Sequence, residues 1–156
     1  MLKILRAETD DDFEQARPLF EEYAASLGID LGFQRFDEEL SNLPAQYSLP
    51  NGALLLAFSE DRTAGCVALR KLEDSVCEMK RLYVKPLFRS LKIGRLLAEK
   101  IVEEAQKLGY NRIRLDTLPS MTQAQSLYES LSFREIVPYR FNPAEGAVFM
   151  ELRLQN

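Results

Sequence analysis

Val84-Lys85-Pro86-Leu87-Phe88-Arg89-Ser90-Leu91-Lys92-Ile93-Gly94-Arg95-Leu96-Leu97 reads as the end of a strand, a turn, and the first turn of a helix. It lies in the most basic part of the chain. Lys80, Arg81, Lys85, Arg89, Lys92 and Arg95 stand between Met79 and Ala98 with no acid among them, in a protein of net charge −4. Backbone N–H groups and the helix dipole converge on an anion at such a helix start. The stretch therefore reads either as a site for a polyanion or as a solvated basic loop.

The remaining composition narrows the options. With 156 residues, 46% hydrophobic and 28% charged, the chain is expected to form one domain, residues 1–156, with a full core. No run reaches the roughly 18 apolar residues of a membrane span, and the segment from Met1 to Glu8 becomes charged too soon for a signal peptide. The expected location is the cytoplasm, with neither membrane nor nucleic acid as partner, since the acidic balance repels a polyphosphate chain from most of the surface. Two cysteines, Cys66 and Cys77, form no CxxC pair and read as small buried hydrophobes. There is no histidine. Triads built on histidine and histidine-based zinc sites are thereby excluded, and acid–base work falls to carboxylates, tyrosine, lysine or water.

Outward from the basic turn, the pattern alternates clearly. Residues 53–59, 63–72 and 76–84 read as three strands joined by short polar turns, an antiparallel meander. After the turn, Ile93, Leu96, Leu97, Ile101, Ala105 and Leu108 form one apolar helix stripe, stopped by Gly109. Residues 112–116 alternate as a strand. Ser120 and Gln123 read as a capping box for a helix carrying Met121, Ala124, Leu127, Tyr128 and Leu131. Strands are expected at 133–137 and 147–154. Upstream, residues 2–6 read as a strand. A helix follows, capped by Asp11 and Glu14, stopped by Gly28, and kinked or begun near Pro18. Gly32 to Phe36 reads as loop, 36–43 as a short helix ended by Pro44, and 47–52 as turn. The predicted order is β-α-α-β-β-β-α-β-α-β-β, a mixed α/β domain with a mostly antiparallel central sheet flanked by helices.

Two motifs in this order resemble the GNAT superfamily of N-acetyltransferases, over nearly the whole chain. Leu82-Tyr83-Val84-Lys85-Pro86 running into Arg89-Ser90-Leu91-Lys92-Ile93-Gly94 resembles that family's pyrophosphate loop, Q/R-x-x-G-x-G/A. Ala124-Gln125-Ser126-Leu127-Tyr128-Glu129-Ser130-Leu131-Ser132-Phe133 resembles its late helix, A-x-x-L-Y-x-x-x-G-F. The departures are Ser90 and Lys92 at glycine positions, Ser132 for the glycine before Phe133, and Met121 where many members carry asparagine.

The resemblance implies a GNAT-like fold and acetyl transfer from acetyl-CoA, without metal, to a primary amine of a small molecule or peptide, directly in a ternary complex. It places the cosubstrate on Leu82, Tyr83, Val84, Arg89, Ser90, Leu91, Lys92, Ile93, Gly94 and Arg95. It makes Tyr128 the acid that reprotonates the thiolate. The other reading of Tyr128 is one more aromatic on the helix stripe. Glu78 reads as the base, or as a strand residue paired with Lys80 or Arg70. Asp116 reads as a turn or cap residue. Tyr23, Phe33, Phe36 and Tyr139 fall in segments that border the acceptor groove of that fold, though core packing explains each nearly as well. Acids outnumber bases in the first 40 residues, which reads as a solvated helix face or as attraction for a cationic acceptor. A homodimer is compatible with the sequence. The rival functions are a non-catalytic acyl-CoA sensor or scaffold of the same fold, kept open by Ser90 and Lys92, and an unrelated nucleotide-binding domain. The meander before the basic turn disfavours the latter.

Overall fold

The structure is a computed structural model that describes residues 1–28 and 35–154. Phe33 lies outside the described residues. The strands are β1 (Leu2–Arg6), β2 (Ala53–Ser59), β3 (Arg62–Glu73), β4 (Val76–Val84), β5 (Arg112–Thr117), β6 (Arg134–Ile136) and β7 (Val148–Arg153). The helices are α1 (Asp10–Leu27), α2 (Phe36–Ser41), α3 (Leu43–Tyr47), α4 (Ile93–Lys107) and α5 (Thr122–Ser130), with a 3-10 turn at Pro86–Leu91. The strands form one sheet in the order β1-β2-β3-β4-β5-β7-β6. Each neighbouring pair is antiparallel except β4–β5, which is parallel and bridged by α4.

Period-two alternation sends the strand side chains into two cores. Leu55, Val67, Leu69, Cys77, Met79, Ile113 and Leu115 pack against Leu97, Ile101 and Ala105 of α4 and Tyr128 of α5. Leu54, Leu56, Cys66, Ala68 and Tyr83 pack against Phe13, Ala16, Leu19 and Phe20 of α1 and Leu43 and Tyr47 of α3. Both cysteines are fully buried, and burial pushes the Cys77 thiol up to about 12. Among the described residues no helix is long and apolar enough to cross a membrane.

Four local expectations are corrected. The box that caps α1 is Thr9 with Asp12, not Asp11 with Glu14. The Asp12 amide donates to Thr9 Oγ1 at 3.1 Å, and the Thr9 amide donates to Asp12 Oδ2 at 3.2 Å. The helix begins at Asp10 and runs through Pro18, so it does not start near that proline; its buried face anchors both halves to the core. Pro44 does not end a helix over 36–43 but opens a new one, α3. The Asn42 side chain accepts from the Ala45 amide at 3.3 Å, and a proline in a first turn sacrifices no hydrogen bond. Tyr47 accordingly lies in a helix, fully buried, rather than in a turn. Finally, Ser120 and Gln123 form no capping box: α5 begins at Thr122, and its preceding residue Met121 makes no side-chain cap bond.

Two irregularities of β4 shape the molecule. The parallel β4–β5 ladder joins only Val76, Cys77 and Glu78 to Arg112, Ile113 and Arg114. Beyond that the two strands part, although β4 continues to Val84 and β5 to Thr117. On its other edge β4 shifts register against β3 between Cys66 and Ala68, and Arg81 there adopts φ +60°. This is a bulge, which bends and twists its strand. Gly65 permits the contact beside it, since a Cβ there would stand 2.5 Å from the Tyr83 carbonyl oxygen.

The bulge turns the Arg81 side chain into the α1–α2 layer. Its Nε donates to Glu39 Oε2 at 2.9 Å and its Nη2 to Glu39 Oε1 at 2.8 Å. The rings of Phe36 and Tyr23 stand 5.2 and 5.9 Å from the guanidinium. The two side chains are only 2% and 3% exposed, so the pair is fully desolvated. Removing one partner of such a pair leaves an uncompensated buried charge, at a cost of ~3–5 kcal/mol. Glu39→Ala should therefore lose several kcal/mol in urea denaturation, and the double change Glu39→Leu with Arg81→Met should recover most of that loss. A single variant as stable as the parent would show that the pair does not hold α2 to β4.

Candidate active site

Where β4 and β5 part, a narrow crevice of about 40 Å³ opens between them. Met79, Lys80, Arg81 and Leu82 line it from β4; Leu115, Asp116 and Thr117 line it from β5; Tyr23, Met121, Tyr128 and Asn142 close it. Tyr23, Leu82 and Met121 also line a wider groove of about 480 Å³, which runs over Tyr83, Val84, Arg89, Gly94 and the start of α5. The crevice and groove thus share a wall, and together they lead from the basic turn into the sheet.

The groove ends at the helix start singled out in the sequence. Lys92, at the N-cap of α4, makes no side-chain cap bond. The first-turn N–H groups of a 15-residue helix are therefore not capped by a side chain. Lys92 has φ +58°, the left-handed conformation that glycine adopts most readily, although it carries a side chain. Gly94 leaves open space, its would-be Cβ meeting only Val84 Cγ2 at 3.6 Å. Arg89 is exposed, stacks 5.7 Å from the Tyr83 ring and donates through Nε to the Val84 carbonyl at 2.9 Å. Ser90 and Leu91 are exposed on the 3-10 turn. The Ile93 side chain is buried in the α4 core, leaving its backbone as its contribution to the turn. Arg95 points away toward α5, donating to Ser130 Oγ at 2.9 Å and pairing with Glu99. The six cations of this stretch do not form one surface cluster, because Lys80 and Arg81 are buried in the sheet.

Tyr128 reaches the crevice from α5. It is 6% exposed and tilts against the Phe133 ring at 5.7 Å. Burial, with smaller contributions from Tyr23 and Asp116, raises its pKa far above the ordinary phenol value, so it holds its proton at neutral pH. Tyr23 lines both spaces, and burial raises its pKa too, against the nearby Arg81 charge. Phe36 lies under the Arg81 guanidinium rather than on the crevice wall.

Glu78 is fully buried one step behind the wall. It accepts from Arg70 Nε at 3.1 Å, from Tyr139 Oη at 2.6 Å and from Arg140, and Lys80 Nζ stands 3.9 Å away. Tyr139, edge-on to Phe149, lies between the Arg114 and Arg140 guanidiniums. Burial raises its pKa. Asp116 accepts from Arg140 at 3.4 Å and from Asn142 Nδ2 at 3.1 Å. It is part of the site rather than a turn cap.

Several wall residues have no site role in the sequence, among them Thr117, Leu118 and Asn142, and Lys80 figures there only as a basic residue and a partner for Glu78. Thr117 Oγ1 is buried without a hydrogen-bond partner. Lys80 had a visible signal, a second charge two residues after Glu78 in the same strand. The others had none, because only the parting of two strands brings them together. Among the described residues no three His, Cys, Asp or Glu side chains are placed to hold a metal ion.

The architecture and the sequence have known counterparts. An uncharacterized N-acetyltransferase of Schizosaccharomyces pombe is 40% identical over 98% of this chain and 95% of its own length. An acetyltransferase of the GNAT family from Staphylococcus aureus superposes with a TM-score of 0.81, at 23% identity, over 99% of this chain and all of that one. A Bacillus subtilis acetyltransferase crystallised in complex with CoA does so with a TM-score of 0.69, at 24% identity, over 99% of this chain and all of that one. The family model "Acetyltransferase (GNAT) family" matches residues 13–133. With its parted parallel strands, its open helix start and these relatives, this chain belongs to the GNAT family of acetyl-CoA-dependent N-acyltransferases.

Proposed function

We propose that the protein moves the acetyl group of acetyl-CoA to a primary amine by direct transfer within a ternary complex. The observation that carries this reading is the crevice between β4 and β5. It joins the groove beside the α4 start to the opposite face of the sheet, with a protonated tyrosine on its wall.

The residues support a role for each part. The amides at 92–95, with Arg89 and Lys92, offer an anion site at a helix N-terminus. Gly94 lets the backbone come close to a phosphate. Leu82, Tyr83 and Val84 line the groove and offer backbone groups to the pantetheine arm; Thr117 adds a hydroxyl in need of a partner. The amine nitrogen bonds to the acetyl carbon, the carbon–sulfur bond breaks, and the departing thiolate takes the Tyr128 proton. Glu78, with its oxygens held by Arg70, Arg140 and Tyr139, suits holding the wall in place; the amine's proton leaves to water at the crevice mouth. The buried thiols are remote from nucleophilic work, which supports direct transfer over an acyl-cysteine route.

The non-catalytic rival rested on the lost glycines. Lys92 takes the left-handed backbone that a glycine there would favour, Ser90 is exposed, and neither side chain lines the groove, which supports the catalytic reading.

Arg89→Glu should weaken CoA binding at least tenfold, about 1.4 kcal/mol by calorimetry, with the fold intact. Unchanged affinity would remove the turn from the cosubstrate site. Lys92→Gly should keep or raise stability, since a side chain in the left-handed region costs ~1–2 kcal/mol, while CoA affinity stays level or falls. Markedly tighter binding would instead mean that Lys92 only crowds the loop, and would favour the sensor. Tyr128→Phe should leave CoA affinity within twofold and lower kcat by about 10²–10⁴, the range of a general acid. A kcat within threefold of the parent would return Tyr128 to a packing role.

A further inference from the structure

Among the described residues that line the crevice and the groove, Asp116 is the single carboxylate. On β5, Arg114 and Asp116 alternate with Ile113 and Leu115. The two apolar side chains enter the α4-side core in company with Tyr128, so Asp116 meets the crevice from the opposite face of the sheet. The crevice thus has a phenol on one side and a carboxylate on the other.

Asp116 is held in place with acceptor capacity to spare. Its Oδ2 accepts from Asn142 Nδ2 at 3.1 Å, and its Oδ1 from Arg140 Nη2 at 3.4 Å, a nitrogen that Glu78 also engages. A carboxylate offers about four lone-pair sites, and among the described residues only these two side chains draw on them. Asn142 is itself fixed, because its Oδ1 accepts from the Ala144 amide at 2.9 Å. The cations around it have carboxylates of their own: Arg81 is bidentate to Glu39, Arg114 donates to Glu151 at 2.8 Å, and Lys80 stands 3.9 Å from Glu78. The Asp116 charge also reaches the facing walls, where it adds to burial in raising the pKa of Tyr128 and of Tyr23.

We propose that Asp116 receives the acceptor: its carboxylate accepts a hydrogen bond from the incoming ammonium, removes one proton and passes it to water at the crevice mouth. The inference rests on the acetyl-transfer reading above and adds a catalytic residue to it. The neutral nitrogen then attacks the acetyl carbon, and the carbon–sulfur bond breaks. As the amide forms, the nitrogen sheds a second proton, which replaces the one that Tyr128 gives the departing thiolate. The ammonium therefore gives up two protons, one to water through Asp116 and one to the CoA thiol by way of Tyr128. Base and acid stand on opposite faces, each beside the group that it serves. Glu78 does not suit this part, since its oxygens are engaged by Arg70, Arg140 and Tyr139 and it does not line the crevice.

The test compares ethylamine, which is protonated at neutral pH, with trifluoroethylamine, which has nearly the same shape but is left neutral by its fluorines. The intact protein is saturated with acetyl-CoA, and CoA release is followed by thiol detection. Asp116→Asn should lower kcat/KM for ethylamine by about 10²–10⁴, the range of a general base, with CoA affinity within twofold. Trifluoroethylamine needs no proton removed before attack, so the loss for ethylamine should exceed its loss at least tenfold. A smaller ratio overturns the inference, because a residue that merely holds the loop of Arg140 and Asn142 would slow both amines alike. Where Asp116→Asn fails to fold, or either amine fails to turn over, a crystal structure of the parent with CoA and ethylamine decides. An amine nitrogen within hydrogen-bond distance of an Asp116 oxygen upholds the assignment; a nitrogen held by any other group, or none in the crevice, overturns it. Failure of the underlying reading would show separately, as a protein that does not bind CoA.

Discussion

The structure depends on the parting of two parallel strands. β4 is committed to β3 along its length, and β5 is committed to β7 from Arg112 to Thr117. The two share only three ladder positions before they diverge. Each strand keeps a well-paired edge on its outer side, so the gap between them costs the sheet little. Backbone groups that would have completed the ladder face the crevice instead, and polar backbone seeks partners wherever it is shielded from water. A ligand with amides of its own suits such a gap.

The bulge at Arg81 and its pair with Glu39 complete that design. A bulge reverses which side chains face which layer, and here it drives a guanidinium into the apolar α1–α2 layer. An unpaired charge there would be intolerable; a bidentate carboxylate with aromatic rings alongside satisfies it. The result ties α2, the bulge and the crevice wall into one unit. The cost of desolvating both ions means that the pair adds positional order more than net stability.

Charge is distributed over two compartments. Arg89 and Lys92 stand exposed at the open start of α4, where water screens them, while Lys85 pairs with Glu22 at 3.5 Å. Lys80, Arg81, Arg70 and Arg140 are held on the far face within a network of carboxylates and Tyr139, where screening is weak. Net charge says little about a site, because most acids of α1 and α4 line neither the crevice nor the groove, although Glu22 of α1 accepts from Tyr83 Oη on the groove wall.

The sequence by itself determined the strand order, the antiparallel meander, the main helix faces and the basic turn before α4, because those follow from local periodicity and local conformational preference. Strand and helix patterns of period two and 3.6 are written in neighbouring residues, and so is the motif of residues 89–94. The extra helix at Pro44 and the true cap of α1 were misread because a proline or an acid can serve either side of a boundary; only the hydrogen bonds of Asn42 and Thr9 choose between them. The crevice wall was partly legible. Tyr128 and Tyr23 could be named through the resemblance, whereas Thr117, Asn142 and the part played by Asp116 could not. Tertiary structure alone decided that Arg81 is buried against Glu39, 42 residues away, and that Glu78 and Asp116 share Arg140. The physical reason is that pairing a buried charge depends on distance in space, and strands far apart in the chain reach that distance only once the sheet has assembled.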